Sequence, residues 1–410
     1  MEDRVCRFCG GSSLHSFIDL GMSPLSNAYI QKENLFAKEN FYPLNVFVCE
    51  TCFLAQLEEF ETPEQIFEEY AYFSSYSDSW LQHAKKYVDV ITERFQLTSE
   101  QLVVEIASND GYLLQYFLQK EISVLGIEPA ANVVAVAEEK GVPSIVRFFG
   151  KKLATELVAQ GKQADLLLGN NVLAHVPDIN DFVSGLKFLL KPTGIITMEF
   201  PHLLKLMDGN QFDTIYHEHF SYLSLITVQK IFEAHGLELF DVEELETHGG
   251  SLRIYAKHVG DIDREIADRV QSLIRKEKEY GLNQVSTYEV FGEKVKKVKR
   301  DLLAFLIKAK NEGKTIVGYG APAKGNTLLN YCGIREDFLN YTVDRSPYKQ
   351  GLYLPGTHIA IKTPEEILKT KPDYVLILPW NIKNEIMEQM SLIREWDGKF
   401  IIPIPEVMVV

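Results

Sequence analysis

Within the seven residues Tyr216 to Tyr222 the chain carries two imidazoles (His217 and His219), one carboxylate (Glu218) and two phenols (Tyr216 and Tyr222). Side chains of these types can remove a proton from carbon beside a ketone. Histidine is a base near neutral pH, a carboxylate partner fixes its tautomer, and a phenol donates to the developing oxyanion. The expected assignment is His219 as general base, Tyr216 and Glu218 in support, and His175 orienting substrate or stabilising an enolate. Other readings remain open: His217 and His219 as part of a second metal site, Glu218 and His219 as a structural pair, and Tyr222 as core.

A second set is Cys6 and Cys9 in CRFCGG, with Cys49 and Cys52 in CETC. Each C-x-x-C can turn two thiolates onto one ion, and four thiolates leave no position for water. The expectation is structural zinc; the alternative is four unligated core cysteines. The gap between the knuckles exceeds the common ribbon spacing. Cys332 stands alone and reads as a small buried residue.

The elements that position such groups follow from periodicity. Residues 82–98 have helical spacing, and Leu102–Ile106 reads as a buried strand. That strand runs into the loop Ala107-Ser-Asn-Asp-Gly111 and the helical Tyr112–Phe117. A second strand ends at Glu128, where an acid binds the ribose of an adenosine. The loop has Gly111 alone and an acidic Asp110, in place of the G-x-G-x-x-G of a pyrophosphate site. This suits a cationic sulfonium with an amino-acid tail, S-adenosylmethionine. Glu105, Ala107, Asn109, Asp110, Gly111 and Glu128 are therefore cofactor candidates. A further strand over 165–169 delivers Asn170, Asn171 and His175 to the carboxyl edge of the sheet, where ligands sit.

Past residue 261 a charged helical stretch carries a lysine run read as one solvated face. A second strand-and-glycine-turn unit, Thr315 to Asn326, begins an α/β region with strands at 339–344 and 373–378. Gly320 in the Gly318-x-Gly320 turn, with Lys324 and Asn326, could hold a diphosphate. Asp344 could hold a nucleoside, and Lys349 and His358 lie in a loop that could cover it.

The chain has 410 residues, 42 basic and 57 acidic, giving a net charge of −15. Two or three domains are expected, and the charge disfavours nucleic acid and membrane surfaces. No segment reads as a signal peptide or membrane helix, so a cytoplasmic location is expected, with a monomer as the default.

Several motifs, in order along nearly the whole chain, resemble the S-adenosylmethionine-dependent sugar C-methyltransferases acting on nucleotide-linked 4-keto-deoxysugars. They are the four cysteines, V-E-I-A-S-N-D-G at 104–111, Tyr216-His-Glu-His219, Thr247-His-Gly-Gly-Ser-Leu-Arg253 and Gly318-Tyr-Gly-Ala-Pro-Ala-Lys324. The family commonly has glycine where this chain has Ala107, whose methyl would crowd the cofactor or shift the loop. The resemblance implies an α/β chain with a zinc-binding part (1–80), a class I methyltransferase domain (81–260) and a second Rossmann-like domain holding the substrate nucleotide (261–410). It implies Glu128 on the cofactor ribose and a closing aromatic segment containing Tyr72 and Tyr76. It also implies C3 methylation of a sugar whose nucleotide is thymidine diphosphate before guanosine or cytidine. The competing readings are an NAD-dependent sugar-nucleotide oxidoreductase and a zinc-ribbon binding module.

Overall fold

The computed structural model describes residues 4–63 and 73–410. Tyr72 lies outside the described residues. The chain divides into two compact units, Met1–Leu14 with Cys49–His202 and Phe220–Asn283, and His15–Val48 with Leu203–His219 and Gln284–Val410. The division does not follow consecutive blocks. Both cysteine knuckles fall in the first unit, whereas strand β1 (Leu14–Ser23) beyond its first residue and β2 (Tyr42–Cys49) up to Val48 fall in the second.

In the first unit, β3 (Ala55–Leu57) pairs with β9 (Ser221–Tyr222). The seven-stranded sheet of this unit uses β4 (Leu102–Ile106), β5 (Ser123–Ile127), β6 (Ser144–Ile145), β7 (Ala164–Asn170), β8 (Leu190–Pro201), β10 (Leu237–Leu245) and β11 (Ser251–His258). Their order is β10-β11-β8-β7-β4-β5-β6. From β6 to β8 all pairings are parallel, and β11 enters antiparallel between β8 and β10. β4 is buried over Val103–Ile106 because both faces of a parallel sheet carry helices. The helix Asp78–Phe95 buries Trp80, Ala84, Tyr87, Val88 and Ile91, an i, i+4, i+7 stripe. Ser77 caps it by accepting from the Trp80 amide.

The second unit holds a six-stranded sheet whose parallel centre is formed by Ile316–Tyr319, Thr342–Val343, Ile361–Lys362, Tyr374–Ile377 and Lys399–Ile402. The helix Phe291–Asn311 buries Val295, Val298, Leu302 and Leu306, and leaves Lys294, Lys296 and Lys297 exposed, as the charge pattern predicts. Cys332 is buried. Among the described residues no helix is long and apolar enough to cross a membrane.

Candidate functional site

The four cysteine Sγ atoms lie within 4.8 Å of one another. Cys6 and Cys52 approach to 3.5 Å and Cys9 and Cys49 to 3.6 Å. Thiolates at the corners of a tetrahedron around zinc, with bonds of about 2.3 Å, stand about 3.8 Å apart, so this donor set fits the ion. Both knuckles are held by their own backbone: Gly10 N donates to Cys6 O and Phe53 N to Cys49 O, each at 2.9 Å. Gly10 and Phe53 take the left-handed conformation there, with φ of 71° and 65°. Among the described residues this is the only cluster of His, Cys, Asp and Glu able to hold a metal. His217 places Nε2 on the Pro43 carbonyl, a bond that requires a proton on that nitrogen.

Beyond the carboxyl ends of β4, β5 and β7 lies a cavity of about 310 Å³. Ala107, Asn109, Glu128, Asn170, Asn171 and His175 line it. Glu128 closes β5 and is oriented by two amides, accepting from Asn109 N at 3.1 Å and Ala130 N at 3.0 Å. Burial pushes its pKa up. Glu105, Asp110 and Gly111 stand behind this wall. Glu105 is wholly buried, and burial, then the charges of Glu128 and Asp110, hold its carboxyl well above the usual range. Asp110 is bonded by Lys140 at 3.2 Å and the Ser75 amide at 3.3 Å. Of these three acids Glu128 alone lines the cavity, while Asp110 is paired with Lys140 and burial favours the neutral form of Glu105.

Loop geometry explains two further positions. Ala107 and Asn109 both have positive φ, 56° and 48°, a region costly for residues with a Cβ. A glycine would adopt the Ala107 conformation freely. Asn109 also fastens the preceding segment, accepting from Ser74 N at 2.8 Å. Tyr76, in the 3-10 turn Ser74–Tyr76, is exposed and rests edge-on against Phe73.

One wall of the cavity is formed by Trp80, a residue sequence reasoning missed. Trp80 stacks on His83 with ring centroids 4.9 Å apart. His83 in turn meets Glu199 at 2.9 Å. Glu199, fully buried at the end of β8, also accepts from Arg253 at 2.6 Å and Thr247 at 2.9 Å. Burial alone would raise this carboxyl, but His83, Arg253 and Thr247 hold it at about 2. The signal was the Thr247–Arg253 motif, whose arginine points to a buried acid elsewhere without naming which. Tyr222, on β9, is buried opposite Ala55.

In the second unit, His219 places Nδ1 2.9 Å from the Thr214 carbonyl. A carbonyl only accepts, so Nδ1 carries a proton, and in the neutral ring the lone pair is on Nε2. The tautomer is thus set by main chain, the role expected of a carboxylate. Tyr216 lies over the His219 ring at 4.1 Å between centroids. Glu218 accepts from Asn27 at 2.6 Å, and burial pushes it up to about 7 against that bond and the Lys349 charge. Asn27 and Tyr29 were not foreseen. Tyr29 and Lys349 both donate to the Ala321 carbonyl, at 2.6 and 2.8 Å.

The glycine turn of this unit uses its own amides. Gly320 N donates to Val343 O at 2.6 Å and Ala321 N to Asp344 at 2.7 Å. Two amides of that turn are therefore engaged within the unit's own backbone and side chains. A Cβ at Gly320 would fall 2.5 Å from Pro379, so packing requires the glycine. Lys324 donates to Asn381 at 2.9 Å and lies 4.7 Å over the Trp380 ring. Trp380 itself donates to Asp213 at 2.7 Å, and burial raises Asp213 to about 7. Asn326 donates to Ser26 O at 2.5 Å, and His358 pairs with Glu39.

Comparison with known proteins adds three matched stretches. Residues 6–67 match the family described as "Putative zinc binding domain", residues 79–242 a methyltransferase domain, and residues 246–405 a C-methyltransferase C-terminal domain. The chain is 37% identical over 405 residues to C-methyltransferase NovU of Streptomyces niveus, covering 99% of this chain and 96% of that protein. It is 28% identical over 96 residues to a ubiquinone biosynthesis O-methyltransferase of Rhodopseudomonas palustris, covering 23% of this chain and 38% of that one. Among solved structures, magnesium protoporphyrin IX methyltransferase of Synechocystis with bound S-adenosylmethionine aligns at 17% identity and a TM-score of 0.33. That alignment covers 43% of this chain and 78% of the other.

Proposed function

Since the chain belongs to the C-methyltransferase family that joins a zinc-binding domain to an S-adenosylmethionine-dependent methyltransferase domain, we propose that its acceptor is a nucleotide-linked 4-keto-deoxysugar, methylated at C3. The observation that carries the reading is His219: a buried imidazole whose Nδ1 donates to the Thr214 carbonyl, which in the neutral ring puts the lone pair on Nε2. Methylation at carbon needs such a base, because the C–H bond must be ionised before it can attack.

The chain's own residues then take the following parts. His219 Nε2 removes the proton from the carbon beside the ketone, and the electron pair moves onto the ketone oxygen. Tyr216 donates to that oxygen. Glu218, poised near neutrality, hydrogen bonds to the sugar in either protonation state. His175 orients the acceptor. Asp344, Lys349, Lys324, Asn326 and His358 serve the nucleotide, as do Tyr72, Tyr76 and Tyr222 at the sugar. Glu128, Ala107, Asn109, Asn170 and Asn171 bind the cofactor, with Glu105, Asp110 and Gly111 setting their charge and loop shape. S-adenosylmethionine, when bound, would supply an electrophilic methyl group on a sulfonium. Cys6, Cys9, Cys49 and Cys52 would hold zinc in a closed, structural site.

The test incubates the enzyme with S-adenosylmethionine and a panel of nucleotide 4-keto-deoxysugars in deuterated water. Gain of one methyl group, with deuterium exchange at C3 when the cofactor is withheld, is expected. His219→Ala should lower both by about 10³-fold while calorimetric cofactor affinity stays unchanged. Methylation and exchange at normal rates in this variant would overturn the assignment of the base. No methylated sugar from any nucleotide would overturn the acceptor class.

A further inference from the structure

The segment Ala174–Phe182 has two faces. One lines the cofactor cavity through His175, Val176, Pro177, Asp178, Asp181 and Phe182. The other is fastened to the zinc knuckle. Between Cys6 and Cys9 stand Arg7 and Phe8, whose carbonyls both accept from Asn180 Nδ2, at 3.1 and 2.9 Å. The Arg7 guanidinium reaches the Leu57 carbonyl and, at 3.3 Å, the Pro177 carbonyl. His235 fixes the Asn180 amide from the far side, with Nε2 2.9 Å from Oδ1. Phe220 N donates to Ala174 O at 2.8 Å, and Leu57 N to Phe220 O at 3.0 Å. A knuckle peptide can hold Asn180 in place only if the knuckle itself is rigid, and four thiolates on one ion make it so.

We propose that the zinc knuckle positions the cofactor pocket: Arg7 and the Arg7–Phe8 carbonyls clamp Pro177 and Asn180, so metal binding sets the affinity for S-adenosylmethionine. Arg7 and Asn180 are positioning residues. The zinc site thus has a reach beyond the staple expected of a small cysteine-rich module. Losing the ion frees the knuckle, withdraws the partners of Asn180 and loosens one wall of the cavity. Loss of two or three hydrogen bonds to ordered backbone is of the size that weakens binding about tenfold.

The experiment needs no acceptor sugar, so its outcome is independent of the proposed substrate. S-adenosylmethionine is titrated by calorimetry into the zinc-loaded full chain and into Arg7→Met and Asn180→Ala, with zinc content measured in each. The expected result is retained zinc with a Kd raised about tenfold in both variants. In the metal-stripped wild-type chain, hydrogen exchange should quicken over residues 172–182 while Leu102–Ile106 stays protected. Should Arg7→Met fail to fold, Arg7→Lys replaces it, keeping the charge and shortening the reach. A Kd within twofold of wild type in the zinc-loaded variants, or unchanged exchange over 172–182 after metal removal, overturns the proposal.

Discussion

Glu199 in the first unit and Glu218 in the second are the same side chain under nearly the same burial, and their chemistry is opposite. Glu199 is surrounded by Arg253, His83 and Thr247 and is held at about 2. Glu218 has the neutral amide of Asn27 as its hydrogen-bond partner and rises to about 7. Burial disfavours charge at both; the partners decide the outcome. A carboxylate locked as an anion is suited to holding Trp80 and His83 in place. One poised near neutrality is suited to exchanging hydrogen bonds with a substrate.

The contrast can be broken first by neutralising each acid. Glu199→Gln leaves Arg253 buried beside an amide and should cost about 3 kcal/mol of unfolding free energy, read from denaturant melts at neutral pH. Glu218→Gln should cost less than about 1 kcal/mol, because the neutral form is already well populated there. Equal losses at the two positions would mean that partner charge does not separate them.

The same pair differs in its response to pH. Glu199 has its folded pKa depressed, so its stabilisation is present above pH 4.5 and lost as pH falls toward 2. Glu218 has its folded pKa raised, so its stabilising contribution is complete below pH 4.5 and lost as pH rises through 7. The second loss amounts to about 3 kcal/mol at most. Melts of Glu218→Gln against wild type between pH 4.5 and 8 should show the variant gaining relative stability as pH rises. A constant difference across that window would contradict the raised pKa. Asp213, also raised to about 7, adds a slope of the same sign in both proteins and so drops out of the difference.

The smallest effect sharpens the cofactor side. Ala107→Gly removes a Cβ from a residue at φ 56°. Relief of about 1–2 kcal/mol is opposed by about 0.4–1 kcal/mol of unfolded-chain entropy, so a gain of up to about 1.5 kcal/mol in stability is expected. Destabilisation would show that the methyl group makes packing contacts worth more than its backbone strain.

Much of the cofactor end was legible along the chain. Leu102–Ile106, the acid at 128 and the polar residues at 170–175 are local signals, because strand periodicity and strand-end placement depend on neighbours in sequence. The cysteine pairs were legible for the same reason. The hydrogen bonds of Asp344 and the Gly318–Gly320 turn were not legible, because they join residues more than twenty positions apart. Nothing local announces that Ala321 N will take the Asp344 carboxylate.

What the residues by themselves determined is the chemistry available: four thiolates for one ion, a sheet built for an adenosine cofactor, and an imidazole–carboxylate–phenol cluster suited to a carbon acid. What only the tertiary structure decided is the state of each group. The Thr214 carbonyl accepts from His219 Nδ1; Asn27 donates to Glu218; and Arg253 reaches Glu199 across 54 positions of chain. Electrostatics and hydrogen bonding act over a few ångströms of space, and the partners that supply them here lie far apart in sequence.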